Sequence, residues 1–220
     1  GPNIEQGQAI QAIPEDIAAI EHRFNLDVKT TIYAVTADLQ PCGTILLNHG
    51  KPIKIFEYYS FFDWFGRFLA LPGVEQYADR FCDAVTQNDA PSPVDKQETS
   101  DGDFYRHAIG PDGRLFIAER GGEGRFVFLL HADFFNIEGN LKGGKHSSTG
   151  VMSLSCLNLP LEMREDPLHI WIPGVIQGPR EPNVKLAHHR HYLKPVVDEI
   201  LLGYQRGFQC HSTYDHRGDG

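Results

Sequence analysis

Apolar side chains concentrate most heavily at residues 124–136, GRFVFLLHADFFN. Phe126, Phe128, Leu130 and Phe134 fall on one alternating face and Val127, Leu129 and Phe135 on the other. That doubling predicts a buried central strand covered on both faces. Asp133 is set into its end, and a carboxylate there is costly unless it is hydrogen-bonded or bound to a metal.

Upstream of this strand, Pro14-Glu15-Asp16 marks a helix start, with Ile13, Ile17, Ile20 and Phe24 on one face. Residues 30–35 read as a strand, followed by a turn at Pro41-Cys42-Gly43 and a short apolar run over 44–47. Ser60 and Asp63 form the pattern of a capping box. Phe61, Phe62, Trp64, Phe65, Phe68 and Leu69 follow at helical spacing until Pro72-Gly73. A second helix carries Val74, Tyr77, Ala78, Phe81, Cys82 and Val85 in one stripe, completing a helical hairpin. The hairpin explains the aromatic stripe as core better than as a docking surface. Residues 88–103 are rich in Pro, Ser and acids and lack apolar periodicity. The expected division is a small N-terminal region at 1–90, a linker at 91–103 and a core at 104–220.

Past the linker, residues 104–109 and 114–118 have the pattern of a β-hairpin turning at Gly110-Pro111-Asp112-Gly113. After the 124–136 strand come a Gly-Lys loop, an alternating strand at 151–157 and a third strand at 168–172 ending at Pro173-Gly174. Three prolines keep 177–182 irregular. A helix is expected over 184–204, kinked near Pro195, with Leu186, Leu193, Val196, Val197, Ile200 and Leu201 inward. The fold class is therefore α+β: a partial RNase H-like half, three antiparallel strands plus a kinked helix, preceded by the small helical-hairpin region. In a complete fold of that kind two divalent metals are clamped by three carboxylates for phosphodiester transfer.

The 220 residues, 41% of them hydrophobic, suffice for a substantial core, and the formal charge of −9 argues against a whole-surface grip on nucleic acid or anionic lipid. Cys42, Cys82, Cys156 and Cys210 form no C-x-x-C pair, which points to a reduced, intracellular setting. No apolar run reaches membrane-span length, so no membrane partner is expected. The opening Gly-Pro reads as a protease-cleavage scar.

Five blocks in order carry a resemblance: 124–136 with Gly139-Asn140, Gly143-Gly144-Lys145, Cys156-Leu157-Asn158-Leu159-Pro160, residues 174–182 (GVIQGPREP) and residues 191–198 (HYLKPVVD). Together they resemble the DDE transposases of fungal CACTA-type (En/Spm-like) DNA transposons. Arg23-Phe24-Asn25-Leu26, Pro41-Cys42-Gly43-Thr44 and Glu57-Tyr58-Tyr59 to Asp63-Trp64-Phe65 resemble the region upstream of the core in the same proteins. The resemblance implies that Asp133 is the first metal-binding carboxylate, with Mg²⁺ or Mn²⁺ as the cofactor. The family's second Asp follows the helix and its Glu lies further on, so the chain is expected to be truncated before the second Asp and incompetent in catalysis alone. Where the family carries a cysteine-rich zinc module, only Cys42 stands here, and no zinc is expected. The family role would place the protein in the nucleus.

Other readings stay open. Asp133 could instead cap a strand end or pair with Lys142, Lys145 or Arg125. Lys142, Lys145, His146, Arg180, Lys185, Arg190 and Lys194 are the candidates for a local DNA-binding patch, against scattered solubilising charge. In His188-His189-Arg190-His191 only His188 and His191 could share an ion on a helix. Cys156 reads as inert core. Three functions follow: a transposase-derived protein related to DNA cleavage and strand transfer; a domesticated non-enzymatic DNA- or protein-binding module; and a minimal metal-dependent nuclease with Asp198 or Asp215 as second ligand. In the second, an unpaired edge on the Asp133 strand invites self-association or an intact transposase.

Overall fold

The computed structural model describes residues 30–33, 47–49, 51–52, 55–87, 95–136, 148–177, 189–216 and 218. Apart from Thr30, these belong to one compact unit, Thr31–Gly220. The described elements are β1 (Thr30–Tyr33), β2 (Leu47–Asn48), β3 (Lys51–Pro52), β4 (Phe56–Tyr59), α1 (Phe61–Leu69), α2 (Val74–Gln87), α3 (Asp103–His107), β5 (Phe128–Asn136), β6 (Ser148–Cys156), α4 (Leu161–Arg164), β7 (Trp171–Ile176) and α5 (Arg190–Arg206). The architecture is α+β. Its main sheet is the antiparallel meander β5-β6-β7, beside two small pairs, β1-β4 and β2-β3.

The aromatic stripe of α1 is core, as its spacing predicts, but it packs on the sheet rather than chiefly on α2. Phe61 meets Phe128 at 5.6 Å and Trp171 at 5.3 Å between ring centroids, and Phe65 meets Phe126 edge-on at 5.1 Å. Rings of this size each gain about 1.5–3 kcal/mol from burial, and Trp171, Phe68 and Tyr58 are almost fully enclosed. The α2 stripe holds as well: Phe81, Cys82 and Val85 close over Ile117 in a second cluster. Gly73, at φ 81°, makes the bend between the helices that Pro72-Gly73 predicts.

The expected capping box at the start of α1 does not form. Ser60 occupies the N-cap without a side-chain bond to the helix, and the carboxylate of Glu199 on α5 takes the Phe61 N–H instead, at 2.6 Å. Ser60 Oγ and Tyr58 Oη donate to that same carboxylate. Strand β4, which local patterning does not announce, brings Tyr58 there and buries Phe56 and Tyr58 on alternate positions.

Three further expectations are corrected. The 104–118 hairpin is a short helix, α3, followed by a turn closed by a single bridge between Ile109 and Leu115. Five residues from Asp103 suffice for one turn, and Phe104 then points to solvent at 71% exposure. The third strand lies at Trp171–Ile176, not 168–172, because Pro167–His169 forms a 3-10 turn in which Asp166 accepts the Leu168 N–H. Pro173 and Gly174 therefore sit inside β7. The register explains why this is tolerated: Met152 pairs with Gly174 and Leu154 with Trp171, so Ile172 and Pro173 bulge opposite Ser153. Finally, the 124–136 run is not a doubly covered central strand. Pairing begins at Phe128, and among the described residues β5 lies at the edge of the sheet, with residues 131–135 exposed. Alternation on β6 holds, with Met152, Leu154 and Cys156 buried between half-buried neighbours.

Helix α5 contains Pro195 and buries Val196, but Val197 and Leu201, expected inward, are exposed. The residues expected to precede it, 184–188, lie outside the described residues, as do the 14–24 helix and the Cys42 turn. Within the expected linker, Gln97 and Glu98 N–H groups donate to the Asp101 carboxylate and hold its pKa below the usual carboxylate range. Residues from both sides of that segment share one core.

Candidate functional site

The site is built on β5, whose entry is fixed by a buried amide. Asn158 Oδ1 accepts the Val127 N–H at 2.7 Å, and its Nδ2 donates to the Arg125 carbonyl at 3.0 Å. Leu157 N–H donates to the Val127 carbonyl at 2.8 Å. Residues 127 and 157 are thus a hydrogen-bonded pair, and the unbroken register from Phe128–Cys156 to Asn136–Ser148 extends the alternation. Odd-numbered residues of β5 turn their backbone groups to β6. Phe128, Leu130, Ala132 and Phe134 turn theirs to the open edge.

Asp133 is opposite Val151 in this register and is solvent-exposed. Its Oδ1 accepts the N–H of Phe134 at 2.8 Å, so the carboxylate covers one of the open-edge donors. The puzzle of a buried acid disappears, because the strand that carries it is not buried. Neither Arg125 nor a described lysine pairs with it: Arg125 is bound to Glu123 and to the Phe116 carbonyl, and Lys142 and Lys145 lie outside the described residues.

Among the described residues no group of three or more His, Cys, Asp or Glu is placed to hold a metal ion. Asp198, a candidate second ligand, pairs with Lys194 one turn earlier on α5. Asp215 accepts from Gln76 beside Glu75 at the start of α2. The described donors therefore do not fit a two-cation site.

Of the expected phosphate-contacting residues, Arg190 and Lys194 are described. They occupy the first turns of α5, both exposed. Lys142, Lys145, His146, Arg180 and Lys185 lie outside the described residues, as does His188, so the His188–His191 pair is not placed. Cys156 is fully enclosed, and burial pushes its thiol up to about 12, which makes it an inert core residue.

Two concavities flank the sheet. One, of about 240 Å³, is apolar and lies between Ala132, Phe134 and Met152 on the sheet and Tyr192 and Leu193 on α5. Ala132 and Phe134 line it, so Asp133, between them on the strand, projects to the other face. The second, of about 860 Å³, is bordered by Phe65, Phe116, Phe126, Tyr204 and Phe208. The second also carries charged groups on its border, where His216 Nδ1 lies 3.5 Å from a Glu75 carboxylate oxygen and Arg125 pairs with Glu123. The residues that sequence reasoning missed are Glu199 and Asn158, whose partners lie on other elements and leave no local signal. Comparison of the chain with protein-family models, with curated proteins and with solved structures finds no match in any of the three.

Proposed function

We propose that this chain is a transposase-derived module of RNase H-like type, related to DNA cleavage and strand transfer, in which Asp133 is a vestigial first carboxylate and these 220 residues do not cut DNA by themselves. One observation carries the reading: three consecutive antiparallel strands are followed by a helix, with the acid on the first strand. The described residues bring no second or third acid to it, and a two-metal mechanism needs its cations held from both sides of the reacting phosphate. DNA is the expected ligand, contacted through phosphates by Arg190 and Lys194 together with Lys142, Lys145, Arg180 and Lys185. Incubation with supercoiled plasmid and Mg²⁺ or Mn²⁺ tests the reading, the expected result being no nicking. Nicking that disappears in Asp133→Ala would overturn it and establish the minimal nuclease.

A second reading, a non-enzymatic module that binds a partner, is favoured by the nine-residue β5 edge, which no described strand covers. Exposed strands of this length are templates for pairing. Binding to DNA with a steep salt dependence would support the first reading; salt-insensitive association with protein would support the second.

A further inference from the structure

We infer that β5 pairs with β5 of a second copy of this chain, antiparallel about a two-fold axis at Ala132, joining two three-stranded sheets into one of six strands. The inference gives the partner-binding reading its partner, and it stands on the strand whatever the ancestry of the chain.

The edge of β5 that no described strand covers presents the backbone groups of Phe128, Leu130, Ala132 and Phe134, as the Leu157–Val127 hydrogen bond fixes. A symmetric partner must therefore bring even-numbered residues opposite even-numbered ones. Centring the dyad on Ala132, the midpoint of Phe128–Asn136, is the register that uses all nine residues. It places His131 opposite Asp133 of the second copy, and Asp133 opposite its His131, in the non-hydrogen-bonded pairs where side chains approach closest. Both residues are exposed. On the same face Leu129, 43% exposed, meets Phe135 of the second copy, 47% exposed. On the other face Leu130 meets Phe134.

Neighbouring registers lose this match. A dyad at His131 opposes the two histidines and sets Asp133 against Leu129, while a dyad at Asp133 opposes two carboxylates, which repel. Dyads at Leu130 or Phe134 leave Asp133 facing Val127 or Phe135 and shorten the ladder. The match of imidazole to carboxylate thus selects one register of the edge with itself. In forming it, the Phe134 N–H exchanges the Asp133 carboxylate for the Leu130 carbonyl of the second copy. A ladder of nine residues falls short of the about 1,200 Å² of a stable specific interface, so the dimer is reversible and grows with concentration.

Sedimentation equilibrium of the full chain from micromolar to millimolar concentration reads this directly. A monomer–dimer equilibrium is expected. His131→Asp, which sets two carboxylates opposite, and Asp133→Lys, which removes the acid that faces His131, should weaken it about tenfold. The double exchange His131→Asp with Asp133→His should restore it to within about twofold. Ala132→Cys, at the dyad, should form an intermolecular disulfide that the unsubstituted chain does not, because paired Cα atoms about 5.5 Å apart lie within disulfide range. Three results would each overturn the proposal: a strict monomer throughout, open-ended assemblies, or single variants that associate as the unsubstituted chain does. None of these outcomes bears on DNA cleavage, which the plasmid assay reads separately.

Discussion

The Glu199 carboxylate accepts the backbone N–H of Phe61 at 2.6 Å, across 138 residues of chain. A helix N-terminus leaves its first amides without partners and carries a partial positive charge, so an acid there acts as cap and counter-charge together. Glu199 does this from another helix while also accepting from Tyr58 Oη at 2.9 Å and Ser60 Oγ at 3.2 Å. The start of α1, the end of β4 and the middle of α5 are thereby tied at one point.

Glu199→Ala should therefore cost about 2–4 kcal/mol, since it removes the cap, leaves the Phe61 N–H without its side-chain acceptor in partly buried surroundings, and takes from the Tyr58 hydroxyl one of its acceptors, the Pro195 carbonyl at 3.3 Å being the other. Ser60→Ala, at the nominal N-cap, should cost only about 0.5–1 kcal/mol, because its side chain does not cap the helix. Urea unfolding of both variants gives the comparison, and a larger loss at Ser60 than at Glu199 would refute it.

Two glycines offer a matched pair. A Cβ at Gly174 would collide with the Glu57 carbonyl oxygen, part of the β4 backbone, and lie 2.7 Å from the buried Phe56 ring. A Cβ at Gly150 would meet the Phe134 ring at 2.4 Å, but that ring belongs to a side chain 38% exposed that can turn aside. Gly174→Ala should lose about 3 kcal/mol or more by forcing β4 off β7, and Gly150→Ala about 1 kcal/mol. Thermal unfolding of the two variants would reverse the argument if they lost equally.

The Cys156 thiol titrates near 9.0 when free of the fold and near 12 within it, chiefly through desolvation. Between those values the unfolded chain has released a proton that the folded chain keeps, so stability contributed by this group is whole below pH 9 and declines as pH rises towards 12. The slope is up to about 1.4 kcal/mol per pH unit from this residue. Cys156→Ala should flatten the alkaline limb of the stability profile. In the native protein at pH 8, Cys156 should resist thiol reagents until denaturant is added.

Asp133 is exposed and, among the described residues, is bonded to the neighbouring amide alone, so Asp133→Asn should change stability by no more than about 0.5 kcal/mol. Millimolar Mg²⁺ should leave the melting temperature of the unsubstituted chain unmoved, because a ligand stabilises only when it binds the native state selectively. A Mg²⁺-dependent rise in Tm that Asp133→Asn abolishes would reveal a cation site.

Strict local periodicity was enough to locate α1, α2, β6 and the body of α5, because residues three, four or two positions apart must face one way in a helix or strand. The apolar run at 124–136 was legible as a strand, and the strand-strand-strand-helix order followed from it. The position of that strand at an edge was not, because the same side chains suit a covered strand or an exposed one, and the neighbours decide. Strand β4 and the shift of β7 escaped for the same reason. Phe56 and Tyr58 acquire their alternation by packing on Trp171 and Tyr192, and Pro173 is admitted by a bulge opposite Ser153. The candidate site divides along the same line. The sequence alone determined that an acid and a histidine flank Ala132 on an apolar strand. Only the tertiary structure decided that they face solvent on an open edge, since burial, hydrogen-bond direction and capping by a distant Glu199 are set by elements far apart in the chain.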